Sequence, residues 1–447
     1  MSTRTALLFS AAFGAGCLLA ARPSTAQERT APQPVSPALP AVPSPAVAPN
    51  PEPGTSAPWR APSSFGEWSS SIKLGLQVDA GIVGSLDNPP SPGVNFGQLF
   101  TDKLNKPILN QVLLSAQRDV DPKATGYDFG FKVALLYGSD ARITHSLALF
   151  DRLIHDRLQL DVLEANVTAR LPWLFEGGID AKAGIYPTPL GYETIDPKNN
   201  PFYTKSYIFN YGLPFKHLGA LTTSHVTPML DIYLGIDTGT NTTIGTGAGD
   251  NNNRPGGIGG IGLNLLDGKL TVLALTHIGP ENAKRNTPFG NSALRYFNDA
   301  VITYKATDKL SFVTELNYVK DDGFRAEAYG AAQYVSYALS DEVSLNARAE
   351  VYRDNSNFFV FNPSSNRDFI NVQRGDYATL LTAPRATTYS EFTVGLTYKP
   401  ADLPLGLNTL LVRPELRYDR ALNGTRVYNS NRDRGAFTLS ADVVIGF

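Results

Sequence analysis

From about residue 71 to the last residue, apolar and polar side chains alternate in short runs separated by Gly, Pro, Asn, Asp and Ser. The final run is the clearest. Phe437, Leu439, Ala441, Val443, Ile445 and Phe447 fall on one face, Thr438, Ser440, Asp442 and Gly446 on the other, and Val444 is the one bulky apolar exception. Period two over that length, ending on an aromatic residue, suits a strand with lipid on one side and a wet lumen on the other. The same pattern predicts strands near 71-83, 108-118, 126-137, 158-170, 179-186, 217-226, 229-238, 256-265, 268-278, 298-305, 309-319, 328-338, 342-353, 388-398, 410-419 and 436-447. Runs 108-118, 217-226 and 256-265 carry it least clearly.

The connections test that count, because bacterial barrels pair short turns on one side with long loops on the other and use an even number of strands. Long connections follow strands one, three, five, seven, nine, thirteen and fifteen, as in 84-107, 187-216, 279-297 and 354-387. Short ones such as Thr227-Pro228, Leu266-Asp267, Ala306-Thr307-Asp308 and Ser340-Asp341 lie between. The loop from Lys320 to Glu327 is short for its place. The expectation is an all-β, transmembrane, antiparallel up-and-down barrel of about sixteen strands (14-18) over 65-447, both termini periplasmic.

The start of the chain has another character. Arg4 precedes an apolar run from Ala6 to Ala21, and Ser24-Thr25-Ala26 offers small residues for cleavage, so residues 1-26 read as a signal peptide. A lipoprotein signal ending at Cys17 is the rival, but Gly14-Ala15-Gly16 lacks the usual aliphatic residue. Cys17 is the only cysteine, so the expected mature chain has no disulfide or thiolate chemistry. Residues 27-64 are rich in Pro, Ala, Ser and Thr and read as a disordered periplasmic segment.

Composition then removes alternatives. No apolar stretch beyond the signal approaches the roughly 20 residues of a spanning helix. Mean hydropathy of −0.15, 39 Gly, 20 Tyr and 23 Phe fit a wall with two unlike faces and aromatic rims. With 39 basic and 41 acidic residues the net charge is −2, which favours no nucleic-acid partner.

Charged residues sit opposite the apolar face. Asp128, Lys132, Asp180, Lys182, Asp231, Asp237, Glu315, Arg348, Glu350, Arg413, Glu415 and Arg417 all alternate with apolar positions. A basic residue at mid-depth in lipid costs roughly 2–4 kcal/mol, so these side chains are expected in the interior. They either line water, or Arg348/Glu350 and Arg413/Glu415/Arg417 pair across strands and plug the barrel. Loop 187-216 is the other candidate. Tyr192, Phe202, Tyr203, Tyr207, Phe209, Tyr211 and Phe215 are too many aromatics for a solvated loop, so it is expected to fold into the mouth as a constriction or to pack on the rim. Folded inward, it brings Glu193, Asp196, Lys198 and Lys205 near the path.

Other chemistry is sparse. The GxSxG, P-loop and HExxH motifs are absent, so no catalytic residue or cofactor is expected. His145, His155, His217, His225 and His277 show no ligand spacing on one element, and no metal site is expected. Loop 138-157, with Leu147, Phe150, Leu153 and Ile154, hints at a short helix. Asp250-Asn251-Asn252-Asn253 offers one carboxylate, too few for Ca²⁺. The glycines between Gly256 and Gly262 fit close packing or a bend better than a phosphate cradle.

Gly191-Tyr192-Glu193, Asn199-Asn200-Pro201-Phe202-Tyr203, Ser206-Tyr207, Phe209-Asn210-Tyr211-Gly212, Pro214-Phe215, His217-Leu218-Gly219 and Tyr233-Leu234-Gly235 together resemble the outer-membrane β-barrel porin type 2 (OmpL-like) family. Val133 to Arg142 resembles a segment preceding that loop. The likeness extends over roughly 71-447 and thins toward the end. It implies a porin role in a Gram-negative outer membrane and no particular substrate. The expectation is therefore passive transport of ions and small hydrophilic solutes through an outer-membrane channel. The alternative is a non-transporting barrel with a structural or surface-binding role. Expected partners are outer-membrane lipid, the solutes, the barrel-assembly machinery reading the strand that ends in Phe447, and a possible homo-oligomer.

Overall fold

The structure, a computed structural model, describes residues 65–87, 93–151, 156–245, 249–285, 292–404 and 406–447. The expected signal peptide, residues 1-26, and the expected disordered segment, 27-64, lie outside these residues. After a short helix α1 (Phe65–Ser70) come the strands β1 (Lys73–Ser85), β2 (Pro107–Arg118), β3 (Asp128–Gly138), β4 (Gln159–Leu171), β5 (Ile179–Pro187), β6 (Lys216–Thr227), β7 (Leu230–Thr240), β8 (Gly256–Leu265), β9 (Leu270–Pro280), β10 (Leu294–Lys305), β11 (Leu310–Asp321), β12 (Ala326–Ala338), β13 (Val343–Asp354), β14 (Phe361–Pro363), β15 (Leu380–Thr382), β16 (Thr387–Tyr398), β17 (Thr409–Ala421) and β18 (Gly435–Gly446). Sixteen of them form one closed antiparallel barrel; β14 and β15 make a small ribbon inside the loop between β13 and β16. Every strand expected from the alternation is present, including the three weakest.

Closure comes from pairing of β1 with β18, running from Gln77↔Gly446 to Ser85↔Thr438. Phe447 adds to it: its N–H donates to the Leu76 carbonyl at 2.9 Å. A closed ladder leaves no unpaired edge, which is the condition for a sheet in hydrocarbon. The outward face is the apolar one. Leu74, Leu114, Phe129, Val167, Leu234, Ile236, Leu345, Val351, Phe392, Leu416, Leu439 and Val443 all project from it exposed. Tyr127, Trp173, Tyr304, Tyr337, Tyr398 and Phe447 ring the rim of short turns; Tyr137, Tyr318, Tyr329 and Phe437 ring the rim of long loops. Val444 points inward, fully buried.

Among the described residues the loops carry two further α-helices, α2 (Ala141–Thr144) and α3 (Asp368–Arg374), besides a 3-10 turn at Pro197–Asn199 and a π-helical turn at Ile208–Gly212. The helix expected around Leu147 to Ile154 is displaced: α2 occupies the preceding residues. Leu147 instead packs on Ile370 of α3, and residues 152–155 lie outside the described ones.

Candidate functional site

The connection from β5 to β6 turns inward and crosses the interior to the opposite wall. Its seven aromatics are all buried, from Tyr207 at 0% exposed to Tyr211 at 6%. Six of them belong to an apolar core inside the barrel rather than to the rim girdle, and Tyr203 packs with Val83 and Leu104 in a smaller cluster. The loop that joins β1 to β2 enters as well, which the alternation did not disclose. Phe100 lies 5.4 Å from both Phe209 and Phe215, and Phe96 packs against Tyr389 and Tyr428. Gln98 donates to the Lys205 carbonyl (2.9 Å) and accepts from the Lys205 N–H (3.1 Å). Asn362, on β14, accepts from the Gly97 N–H at 2.9 Å. Gly97 has φ +86°, and a Cβ there would lie 2.7 Å from the Tyr207 ring, so only glycine fits this crossing.

What holds the crossing loop is a division of labour among the wall charges. The carboxylates take its N–H groups: Glu315 accepts from Tyr192 (3.0 Å), Glu415 from Tyr203 (2.9 Å) and Thr204 (3.1 Å), and Glu350 from Tyr207 (2.6 Å) and Ile208 (2.7 Å). The guanidinium groups take its carbonyls: Arg348 donates to Thr204 (3.0 Å), Arg413 to Pro197 (2.7 Å) and Asn200 (2.6 Å), and Arg417 to Lys205 (2.8 Å). Each guanidinium also has a carboxylate partner. Arg348 pairs with Glu193 (2.6 Å) and Glu391 (2.5 Å), Arg413 with Asp442, and Arg417 with Asp419 (2.7 Å). These charge-assisted bonds satisfy loop backbone that burial would otherwise leave unpaired.

The five wall residues Arg348, Glu350, Arg413, Glu415 and Arg417 thus do face the interior. They neither line open water nor only pair with one another; they are a dock for the loop, and all are at most 2% exposed. The four loop charges divide. Glu193 is buried between Arg348 and the Ser206 N–H (2.8 Å), and buried Lys205 donates to the Thr194 carbonyl (3.1 Å) and lies 4.9 Å from the Phe209 ring centre. The expectation that both stand beside permeating ions is thereby revised. Asp196 and Lys198, 3.1 Å apart, keep access to water.

Below the loop, toward the turn rim, lies a cavity of about 320 Å³. Lys198, Lys309 and Lys399 line it with Asp341, Glu342 and neutral polar residues such as Ser336, Ser344, Asn346 and Thr397. On the mouth side, Asp102 in the β1–β2 loop binds Arg142 and Arg157. Burial alone would raise the pKa of its carboxyl, but these guanidiniums and Lys103 outweigh burial and hold it below its usual range.

A match to the family described as "Putative beta-barrel porin-2, OmpL-like" runs over residues 71–447. The chain belongs to this family. It is an outer-membrane β-barrel porin, as the resemblance implied. Among solved structures it is similar to Pseudomonas putida OprB, at 13% identity and TM-score 0.52 over 85% of this chain and 95% of that one. It is also similar to an anion-selective porin from Comamonas acidovorans, at 10% identity and TM-score 0.50 over 84% of this chain and 99% of that one. At these identities the likeness is one of fold. No curated protein matches the chain.

One arrangement escaped sequence reading altogether. His217, Asp237 and His277, from β6, β7 and β9, converge inside the wall with donor atoms within 4.8 Å of one another. Spacing along one element could not reveal this, because the three residues lie on different strands.

Proposed function

We propose that this porin passes ions and small hydrophilic solutes by passive diffusion, with the docked β5–β6 loop setting the narrowest part of the path. The observation that carries this is the loop itself, held across the interior by charges from the far wall above a cavity whose lining includes Lys198, Lys309, Lys399, Asp341 and Glu342. Fixed charge at a narrow, low-dielectric passage biases the local ion population. The accessible lysines Lys198, Lys309 and Lys399 favour anions at that cavity, partly offset by Asp341 and Glu342. Single-channel recording of purified protein in planar bilayers tests the reading. Replacing 193-211 with a short Gly-Ser linker is expected to raise conductance, and changing the three lysines to Gln to move selectivity toward cations. Folded protein that stays silent with or without the loop would instead support the non-transporting barrel.

The same reading puts the long loops at the cell surface, both ends of the mature chain in the periplasm and the strand ending in Phe447 in contact with the assembly machinery. It extends to a second copy of the chain. Thr276, Asn298, Thr314 and Gln333 face outward among apolar residues and hydrogen-bond in pairs, Thr276 to Asn298 at 3.0 Å and Thr314 to Gln333 at 2.7 Å. Polar groups at this face favour a protein neighbour over lipid tails. Cross-linking from an introduced Ala300→Cys would report it; a strictly monomeric product would count against association.

A further inference from the structure

We propose that His217, Asp237 and His277 form a binding site for a divalent first-row transition ion such as Zn²⁺, at the root of the loops that close the barrel mouth. His217 and His277 are 1% and 0% exposed, Asp237 is 4% and the adjoining Glu281 8%. His277 Nε2 lies 3.0 Å from one Asp237 oxygen, and His217 Nδ1 lies 3.5 Å from the other. Metal bonds of about 2.0–2.2 Å in a tetrahedron set neighbouring donors roughly 3.3–3.6 Å apart, so the donors already stand near a coordination edge.

Satisfaction points the same way. His217 Nδ1 with Asp237 Oδ2, and His277 Nδ1 with Glu281 Oε1, are buried facing pairs at 3.5 and 3.6 Å, too far apart for good hydrogen bonds and with no other partner. Two carboxylates and two neutral imidazoles carry two negative charges, which one divalent cation balances without protonating either ring. Nitrogen with carboxylate oxygen is the donor set of Zn²⁺ and its neighbours rather than of Ca²⁺ or Mg²⁺. The surroundings complete the design. Glu281 Oε1 faces the outer nitrogen of His277 at 3.6 Å, and Thr188 Oγ1 lies 3.3 Å from His217 Nε2, the places of groups that orient ligating imidazoles.

The backbone has been cleared for this cluster. A Cβ on Gly256 would lie 2.8 Å from His277 Nε2 and 2.9 Å from Asp237 Oδ1, and one on Gly219 would meet the Asp237 Cβ at 2.7 Å. Glycine is thus needed where β8 and β6 pass the ligands. Because His217 follows the docked loop, Asp237 precedes the β7–β8 loop and Glu281 opens the β9–β10 loop, a bound ion ties three loop roots together.

The test uses full-length folded protein in detergent, without a polyhistidine tag, stripped with EDTA. Calorimetric titration with Zn²⁺ is expected to give one equivalent per chain, and Co²⁺ to give the visible absorption of a low-coordinate nitrogen and oxygen site. The double variant H217A/H277A abolishes both signals. H225A, which alters a histidine paired with Asp180 and Asp231 elsewhere, leaves them unchanged. Glu281→Gln weakens binding about 10- to 100-fold. Absence of a stoichiometric equivalent in wild type, or binding retained by the double variant, overturns the proposal and leaves a buried ion-pair cluster. If the double variant does not assemble, Glu281→Gln and Gly256→Ala decide, and wild-type affinity in both overturns it equally.

Discussion

Removing the Arg348 guanidinium is the most direct perturbation of the dock. Its bonds reach Glu193, Glu391, the Thr204 carbonyl and Thr393, and it lies 5.0 Å from the Phe202 ring centre. Arg348→Ala leaves Glu193, buried at 2% exposure, without its cation, and leaves Glu391, buried at 3%, with only the more distant Arg417 at 3.8 Å. Breaking a buried pair by deleting one member costs about 3–5 kcal/mol. The lipid-facing surface and the strand ladder are untouched, so the cost falls on the docked segment around 193-204 and raises its opening equilibrium roughly 10²- to 10⁴-fold. A cysteine at Ser206, buried in the docked loop, reports opening through its maleimide labelling rate. Under rapid opening and closing, the ratio of rates with and without Arg348→Ala measures the shift. R348M/E193Q/E391Q, which removes the charges together, is expected to restore much of the protection. A labelling ratio near one, in barrels whose heat-modifiable mobility shows them folded, would refute the docking role assigned to Arg348.

Leu345→Arg puts a cation on the outward face at about 2–4 kcal/mol if it lies near mid-depth, so the assembled fraction on gels should fall, whereas neighbouring Asn346→Ala, facing inward, should assemble normally. Epitopes in 354-387 or 239-255 should label on intact cells and an epitope at Ser340-Asp341 should not; the reverse pattern would invert the topology. Deleting Phe447 removes the last pairing with Leu76 and should slow insertion more than deleting residues 27-64. The depressed pKa of Asp102 contributes stability that is present above the ordinary carboxylate pKa of about 3.9 and is lost as pH falls through the lower, folded value. Limited proteolysis of the β1–β2 loop should therefore be unchanged from pH 8 to 5 and rise in the acid range below about pH 4, with Asp102→Asn showing that susceptibility already at neutral pH.

The wall was legible because lipid and lumen act on alternate residues, so period two survives even in the glycine-rich β8. Loop 187-216 was legible because seven aromatics in a connection are unexplained by solvent. Its depth was not, since Glu315, Glu350, Glu415 and Arg413 that seize it come from distant strands. The charges of Glu193 and Lys205 read as pore-lining for the same reason: sequence shows that a residue is charged and not whether another chain segment covers it. Entry of the β1–β2 loop had a faint sign in Phe96, Leu99 and Phe100. The meeting of His217 with His277 had none, because it depends on β6, β7 and, across β8, β9 bringing these residues to one height.

Beyond the side-chain pair of Arg348 with Glu193, the dock recognises peptide groups: carboxylates capture N–H and guanidiniums capture C=O. Much of the grip is therefore written in strands far along the chain from the loop it holds. The accessible side chains of the crossing segment, Asp196 and Lys198, can be exchanged without touching those captured groups, whereas a proline at Tyr192, Tyr203, Thr204, Tyr207 or Ile208 would remove a captured N–H. On the proposed path, such a barrel changes what its passage admits through substitutions at Asp196 and Lys198 while the anchoring arginines and glutamates stay fixed, so that new permeability would need no new scaffold.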